Sequence, residues 1–468
     1  MIIDRIPLFR LRLFLLTVTF LFFVSFASHG EARDTAQPQN IETSHNSFKP
    51  AERFTTDFGL EVFLITSRAN PMLEVQLLMA GGSETDPVGL DGLSSMTATM
   101  MGEGAGDLKA DTFKEKLEFH GIVLGADASR DVTTIAMRTL SRHRNTAFSM
   151  MSEMVFRPRF DADSYERIQQ QVTSGLIQRR EKPGVRAIQA LYRLLFRNHP
   201  YGHPAAGTPA TVSQITSDHL KKRHRQWLNP DRMTLAVAGD IDRLALQRVL
   251  DTHFKPFMLS LPSKQSDTTL LRYPLDVLDE QATLHLAMDL PQTTIRLGFP
   301  GIARNDEDRY AVTVMSQILG GAGITSRLTE VLREKRGLTY GVYAYHLPFS
   351  DAGVFVISMK TKTKSAGEAL SLLNTEVNRI QNERVSEEEL QSAIDYLTGS
   401  FPIRQEGLRS QAVTWGRIGL FDYPLDYLAN WVNRISQVSR EDVLRVAQRI
   451  LQRDKMQSVT VGKELPTQ

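Results

Sequence analysis

Residues 319–345 read LGGAGITSRLTEVLREKRGLTYGVYAY. A glycine-rich turn opens the stretch, a helix follows over Ser326–Lys335, Gly337 turns the chain, and a strand begins near Thr339. Working outward, Thr294–Gly298 reads as a strand and Arg309–Leu319 as a helix before the glycines. Beyond them, Thr339–His346 and Gly353–Thr361 read as strands, Ala366–Asn382 and Ser386–Gly399 as helices, and Met456–Val461 as a closing strand. The first half of the chain repeats this order. Strands over Leu60–Thr66 and Met72–Met79 precede helices near Gly89–Met101 and Ala110–His120. Strands over Ile122–Ala128 and Val132–Leu140 follow, then helices over His143–Val155 and Asp161–Glu181, and a final strand at Met233–Gly239. A domain-sized repeat follows from this echo. The expected fold class is α+β: two homologous domains, each a mostly antiparallel sheet covered by helices on one face. The boundaries fall at 53–254 and 286–468, with 255–285 as a linker marked by Pro256, Pro262 and Pro274.

Composition narrows the function. The chain has 468 residues, with 55 Lys and Arg against 53 Asp and Glu, for a net charge of +2. Near-balance argues against a duplex nucleic-acid binder, which needs a concentrated basic field. The absence of cysteine excludes disulfides, thiolate metal sites and a cysteine nucleophile. Arg5, Arg10 and Arg12 flank an uncharged apolar run from Leu13 to Ala27, with small residues at Ser25 and Ala27. Residues 1–27 therefore read as a secretory signal and 28–52 as a polar linker, so the mature chain is expected in the periplasm or otherwise exported, free of the membrane after cleavage.

A second stretch carries chemistry. Gly81–Gly106 reads GGSETDPVGLDGLSSMTATMMGEGAG. Leu93, Met96 and Met100 recur at helical spacing, with Asp91 read as the N-cap. Ser95, Ala98 and Thr99 then share one helix face.

Both stretches resemble the pitrilysin/insulinase (inverzincin) metallopeptidase family. The approach G-S-E-T-D-P-V-G-L matches that family's lead into its metal motif. In the family, H-x-x-E-H then supplies two zinc-binding histidines and a glutamate base. The matching positions here are Ser95, Ala98 and Thr99. The third ligand of the family is a glutamate on a later helix; the matching stretch Gln169–Leu176 (QQQVTSGL) has no carboxylate. Neutral hydroxyls and a methyl group cannot replace imidazole and carboxylate donors. The resemblance therefore implies a zinc-free, non-catalytic chain, similar to the inert subunits of the bacterial and mitochondrial two-subunit processing peptidases, with zinc in the partner. Residues 319–345 match the signature of the family's C-terminal half, in which an Arg and a Tyr orient the substrate backbone and support the tetrahedral intermediate. Those positions are Arg333 and Tyr340 here. A guanidinium and a phenol both donate hydrogen bonds to a developing oxyanion. The implied partners are a zinc-bearing subunit of the same family and an unfolded peptide substrate.

Other readings carry less. Arg333 late in a helix also suits the helix dipole, and Tyr340 suits a strand. Gly320–Gly323 lacks the Lys-Ser/Thr ending of a phosphate loop. His199 and His203 are spaced as zinc ligands on a helix, but Pro200 and Pro204 make the segment a loop; His219 and His224 miss a shared face. Three alternatives stand beside the subunit reading: an inert peptide-binding scaffold, a hydrolase with a relocated metal site, and a specialised partner in maturing a peptide-derived cofactor.

Overall fold

The computed structural model describes residues 50–261, 280–323 and 325–463. The secretory signal read over 1–27, and all but the end of the linker read over 28–52, lie outside the described residues. The first half builds β1 (Glu52–Thr55), β2 (Glu61–Thr66), β3 (Met72–Ala80), α1 (Leu93–Met101), a short ribbon of β4 (Gly104–Ala105) and β5 (Leu108–Lys109), α2 (Ala110–Phe119), β6 (Val123–Ala128), β7 (Val132–Leu140), α3 (Arg144–Phe156), α4 (Ala162–Arg180), α5 (Pro183–Phe196), α6 (Pro209–Val212), α7 (Ser217–Trp227), β8 (Met233–Gly239), α8 (Arg243–His253) and α9 (Lys255–Met258). The second half builds β9 (Ala282–Ala287), β10 (Gln292–Gly301), α10 (Arg309–Gly320), a π-helical segment at Thr329–Glu334, β11 (Val342–Pro348), β12 (Gly353–Lys362), α11 (Ala366–Asn382), α12 (Glu387–Gln405), α13 (Leu408–Leu420), α14 (Tyr427–Ser436), α15 (Arg440–Ile450) and β13 (Gln457–Gly462).

The strands confirm the internal repeat. The first sheet runs β1-β2-β8-β3-β7-β6; the second, read from its far edge, runs β9-β13-β10-β12-β11. Without β1 the two orders coincide. In each sheet one pair is parallel, β2 with β8 and β9 with β13, and the other pairs are antiparallel. The segment read as a linker over 255–285 contains α9 and the start of β9. Pro256 lies within α9 and masks it as a helix, and β9, which pairs with the sequence-distant β13 among the described residues, leaves no hairpin signal.

Alternation explains why the strands look apolar throughout. On β2 and β8, Val62, Leu64, Leu235 and Val237 point to the core built with α1, α3 and α8. Phe63, Ile65, Ala236 and Ala238 point the other way and meet Ala412, Trp415 and Ile418 of α13. The second sheet mirrors this: Val354, Val356, Val459 and Val461 pack on Ala187, Leu191 and Leu195 of α5. So each half covers one face of its own sheet and sends one helix to the second face of the other. Close approach depends on glycine. A Cβ on Gly419 of α13 would lie 2.4 Å from a Phe63 ring carbon and 2.5 Å from Thr234 Cγ2, and one on Gly298 of β10 would lie 2.7 Å from Leu191. A polar tie joins the halves as well. Asp131, buried after β6, accepts from Arg304 (2.6 Å), the Ser350 amide (3.0 Å) and the Tyr201 hydroxyl (2.9 Å).

Candidate functional site

The N-terminus of α1 is organised by Asp86, not by Asp91. Asp86 is 2% exposed. Its carboxylate accepts from the amides of Gly92 and Ser94 (3.0 Å each) and from the Ser94 hydroxyl (2.6 Å). Gly92 occupies the cap position with φ 96°, where a side chain would be strained, and no side chain at that position caps the helix. Asp91 instead holds Nδ1 of His203 at 2.7 Å. Arg223, also buried, lies 3.5 Å from Asp86 and donates to the Thr85 carbonyl and hydroxyl. Burial pushes the Asp86 carboxyl up to about 6, against the opposing pull of Arg223 and the Ser94 and Gly92 bonds.

This cap presents the three motif positions on one helix, as the spacing predicts. Ser95 is half-buried, Ala98 is 1% exposed and Thr99 is exposed. The Thr99 hydroxyl turns back along its own helix and donates to the Ser95 carbonyl at 2.9 Å. On α4, the stretch Gln169–Leu176 offers no carboxylate, and the amide of Gln169 donates to the Tyr165 hydroxyl (2.8 Å) and the Val212 carbonyl (3.1 Å). One turn beyond Thr99, Glu103 is buried but committed to Lys114 (2.8 and 2.9 Å) and to Arg167 of α4. The sequence reading missed this cluster; only the fold brings Arg167 to α1. These residues do not fit zinc: the donors are neutral, and the one carboxylate close along the helix already has two cations. Among the described residues, no group of three or more His, Asp or Glu is arranged to hold a metal. His199 accepts from the Tyr201 amide in a short turn, His219 serves the N-terminus of α7, and buried His224 pairs with the Val155 carbonyl.

The second motif folds differently from the regular helix the sequence suggests. From Thr329 to Glu334 the helix widens to π geometry, with the Lys335 amide reaching back five residues to the Glu330 carbonyl at 2.9 Å. Gly337, at φ 60°, then reverses the chain. Tyr340 falls two residues before β11 instead of on the strand. The result is a side-by-side pair: the Arg333 guanidinium carbon lies 5.6 Å from the centre of the Tyr340 ring, within cation–π range. Tyr340 is 93% exposed, and no hydrogen bond holds its hydroxyl among the described residues. Arg333 contacts the Glu334 carboxylate at 3.4 Å, and its side chain too is exposed.

Comparison with known proteins bears on both motifs. Residues 61–209 match the model of insulinase (peptidase family M16), and residues 214–397 match the peptidase M16 inactive domain. The chain is similar to an uncharacterized zinc protease of Streptomyces coelicolor, 24% identical over 440 residues, covering 92% of this chain and 93% of that one. It is also similar to a non-peptidase homolog of Helicobacter pylori, YmxG, 25% identical over 377 residues, covering 80% of this chain and 85% of that one. Among solved structures, a peptidase M16 inactive domain from Pseudomonas fluorescens superposes with a TM-score of 0.81 at 27% identity, covering 89% of this chain and 99% of that one. With both halves matched and the duplicated sheets in place, the chain belongs to the insulinase family, M16, as a member without the metal-binding residues of its first half.

Proposed function

We propose that this chain is the non-catalytic subunit of an exported, two-chain zinc peptidase, in which it supplies Arg333 and Tyr340 to a zinc-bearing subunit of the same family. The observation that carries the reading is the exposed pair itself. Two hydrogen-bond donors lie together on a turn set by the π-helical segment, and both face solvent. Isolated surface groups of this kind gain little for stability, so their placement fits a role toward a ligand. In the complex the partner brings the metal and the base. The guanidinium and phenol of this chain hold the carbonyl oxygen of an unfolded peptide and stabilise the negative charge that develops on it. Among the described residues, no group of three or more His, Asp or Glu is arranged to hold the metal that hydrolysis would need.

The test begins with a tagged chain purified from native extract, with mass spectrometry of its one-to-one companions, and continues with the reconstituted pair. Arg333→Ala and Tyr340→Phe are expected to lower the partner's turnover number by about a hundredfold while leaving association unchanged. Unchanged turnover in both variants would leave the chain a scaffold and overturn the proposed role of the pair.

A further inference from the structure

The two halves lie in one compact unit and together line an open cavity of about 830 Å³. Arg130, Arg304, Arg404 and Arg417 line it, against two carboxylates, Asp127 and Asp131. Asp131 is already taken by Arg304, Ser350 and Tyr201. Arg130 lies over the ring of Tyr192 at 4.2 Å and donates to the Tyr201 carbonyl; Arg404 reaches only the Leu397 carbonyl, at 3.4 Å. Arg417 of α13 makes no ion pair or hydrogen bond among the described residues. Desolvation and the neighbouring charge of Arg304 both press its guanidinium toward the neutral form. Arg404 and Arg417 are exposed and Arg130 is half-buried, so three guanidinium groups face the cavity without a carboxylate partner and set up a local positive field that favours an anion.

The walls say what kind of anion. Trp431 stacks on Phe401 at 4.1 Å, and Tyr423 stacks on Tyr427 at 4.7 Å, so flat aromatic faces line the cavity along with the arginines, with Tyr423 close to Arg304 and Arg417. Two edge strands contribute to the lining: Asp127 belongs to β6, the last strand of the first sheet, and Leu347 and Pro348 to β11, the last strand of the second. An unpaired strand edge recognises extended main chain. The planar fork of arginine matches a carboxylate.

We infer that the cavity between the halves is a binding site for carboxylates of an extended peptide, with Arg417 and Arg404 as the anion-recognising residues and Trp431 against the neighbouring side chains. The site lies apart from Arg333 and Tyr340 and works in the chain alone, so it does not depend on a zinc-bearing partner. The carboxylate comes from acidic side chains or from the peptide C-terminus.

The purified chain is titrated with an unstructured glutamate-rich peptide while tryptophan fluorescence is followed, since Trp431 lines the cavity, Trp415 is buried in the apolar cluster beside it, and Trp227 is buried in the core of the first half. A glutamine-for-glutamate version and a C-terminally amidated version form the other arms. Binding is expected to weaken at least about tenfold in one arm, which identifies the source of the carboxylate, and to weaken similarly in Arg417→Gln and Arg404→Gln with the parent peptide. Arg417→Lys keeps part of the affinity. Because Arg417→Gln removes an unpaired cation, its urea midpoint stays at or above that of the parent chain, which separates lost binding from lost folding. Equal affinity for all three peptides, no binding of any of them, or undiminished binding by both arginine variants would overturn the site.

Discussion

A single hydroxyl shows why the motif face of α1 does not suit zinc. Thr99 satisfies itself on the Ser95 carbonyl, and the position between them is a buried methyl, so the helix face closes on its own backbone. These positions were legible in sequence because a motif is local: spacing fixes the face, and residue type fixes the chemistry. Asp86 was not legible as the cap, because it reaches Gly92 and Ser94 across a turn while Asp91, one residue before the cap position, is the carboxylate nearest the helix in sequence. His346 gives this scale a pH test. Its ring nests against Gly301 and Gly353 and bonds to the backbone of Ile302. Burial lowers its pKa to about 4. A base depressed on folding contributes stability that is full above its unfolded value, near 6.5, and lost as pH falls through about 4. From neutral pH down to about 4, the parent chain should lose about 3 kcal/mol more unfolding free energy than His346→Gln, by urea titration. Parallel pH profiles would show that the imidazole is not held neutral.

At the scale of elements, the strands with clean alternation were read almost to the residue: β7 and β8 have the bounds their sequences suggest, as does α11. The destinations of α5 and α13 were not readable. An apolar helix face announces that it will be buried but not which sheet will bury it, and here each crosses to the other half. Nor does sequence mark the π-helical segment, where the Lys335 amide bonds five residues back instead of four, since residues 329–334 read as an ordinary helix. Glycine at the crossing is the element's testable feature. Gly419→Val should destabilise the fold by about 2 kcal/mol, because its branches meet Phe63 and Thr234. Gly399→Ala, in open space on α12, should instead stabilise by about 0.5–1 kcal/mol through helix propensity alone. Thermal and urea unfolding followed by circular dichroism distinguish the two; equal effects would mean α13 does not bear on the first sheet as described.

At the scale of the molecule, duplication does more than double the fold. Two copies of one strand order exchange a helix each, share the buried Asp131 tie, and leave an arginine-lined cavity between them. The near-neutral overall charge visible in sequence gave no hint of that local excess, since balance over a whole chain says nothing about which charges the fold gathers. The repeat itself was legible, as were the motif positions, Ser95, Ala98 and Thr99 in the first half and Arg333 and Tyr340 in the second. The central claim is that this chain cannot assemble the zinc centre of its family. Its most direct test is zinc per chain, measured by plasma mass spectrometry after saturating the purified protein with zinc and removing the excess by gel filtration. The account predicts a content far below one equivalent; one tightly held zinc per chain would contradict it.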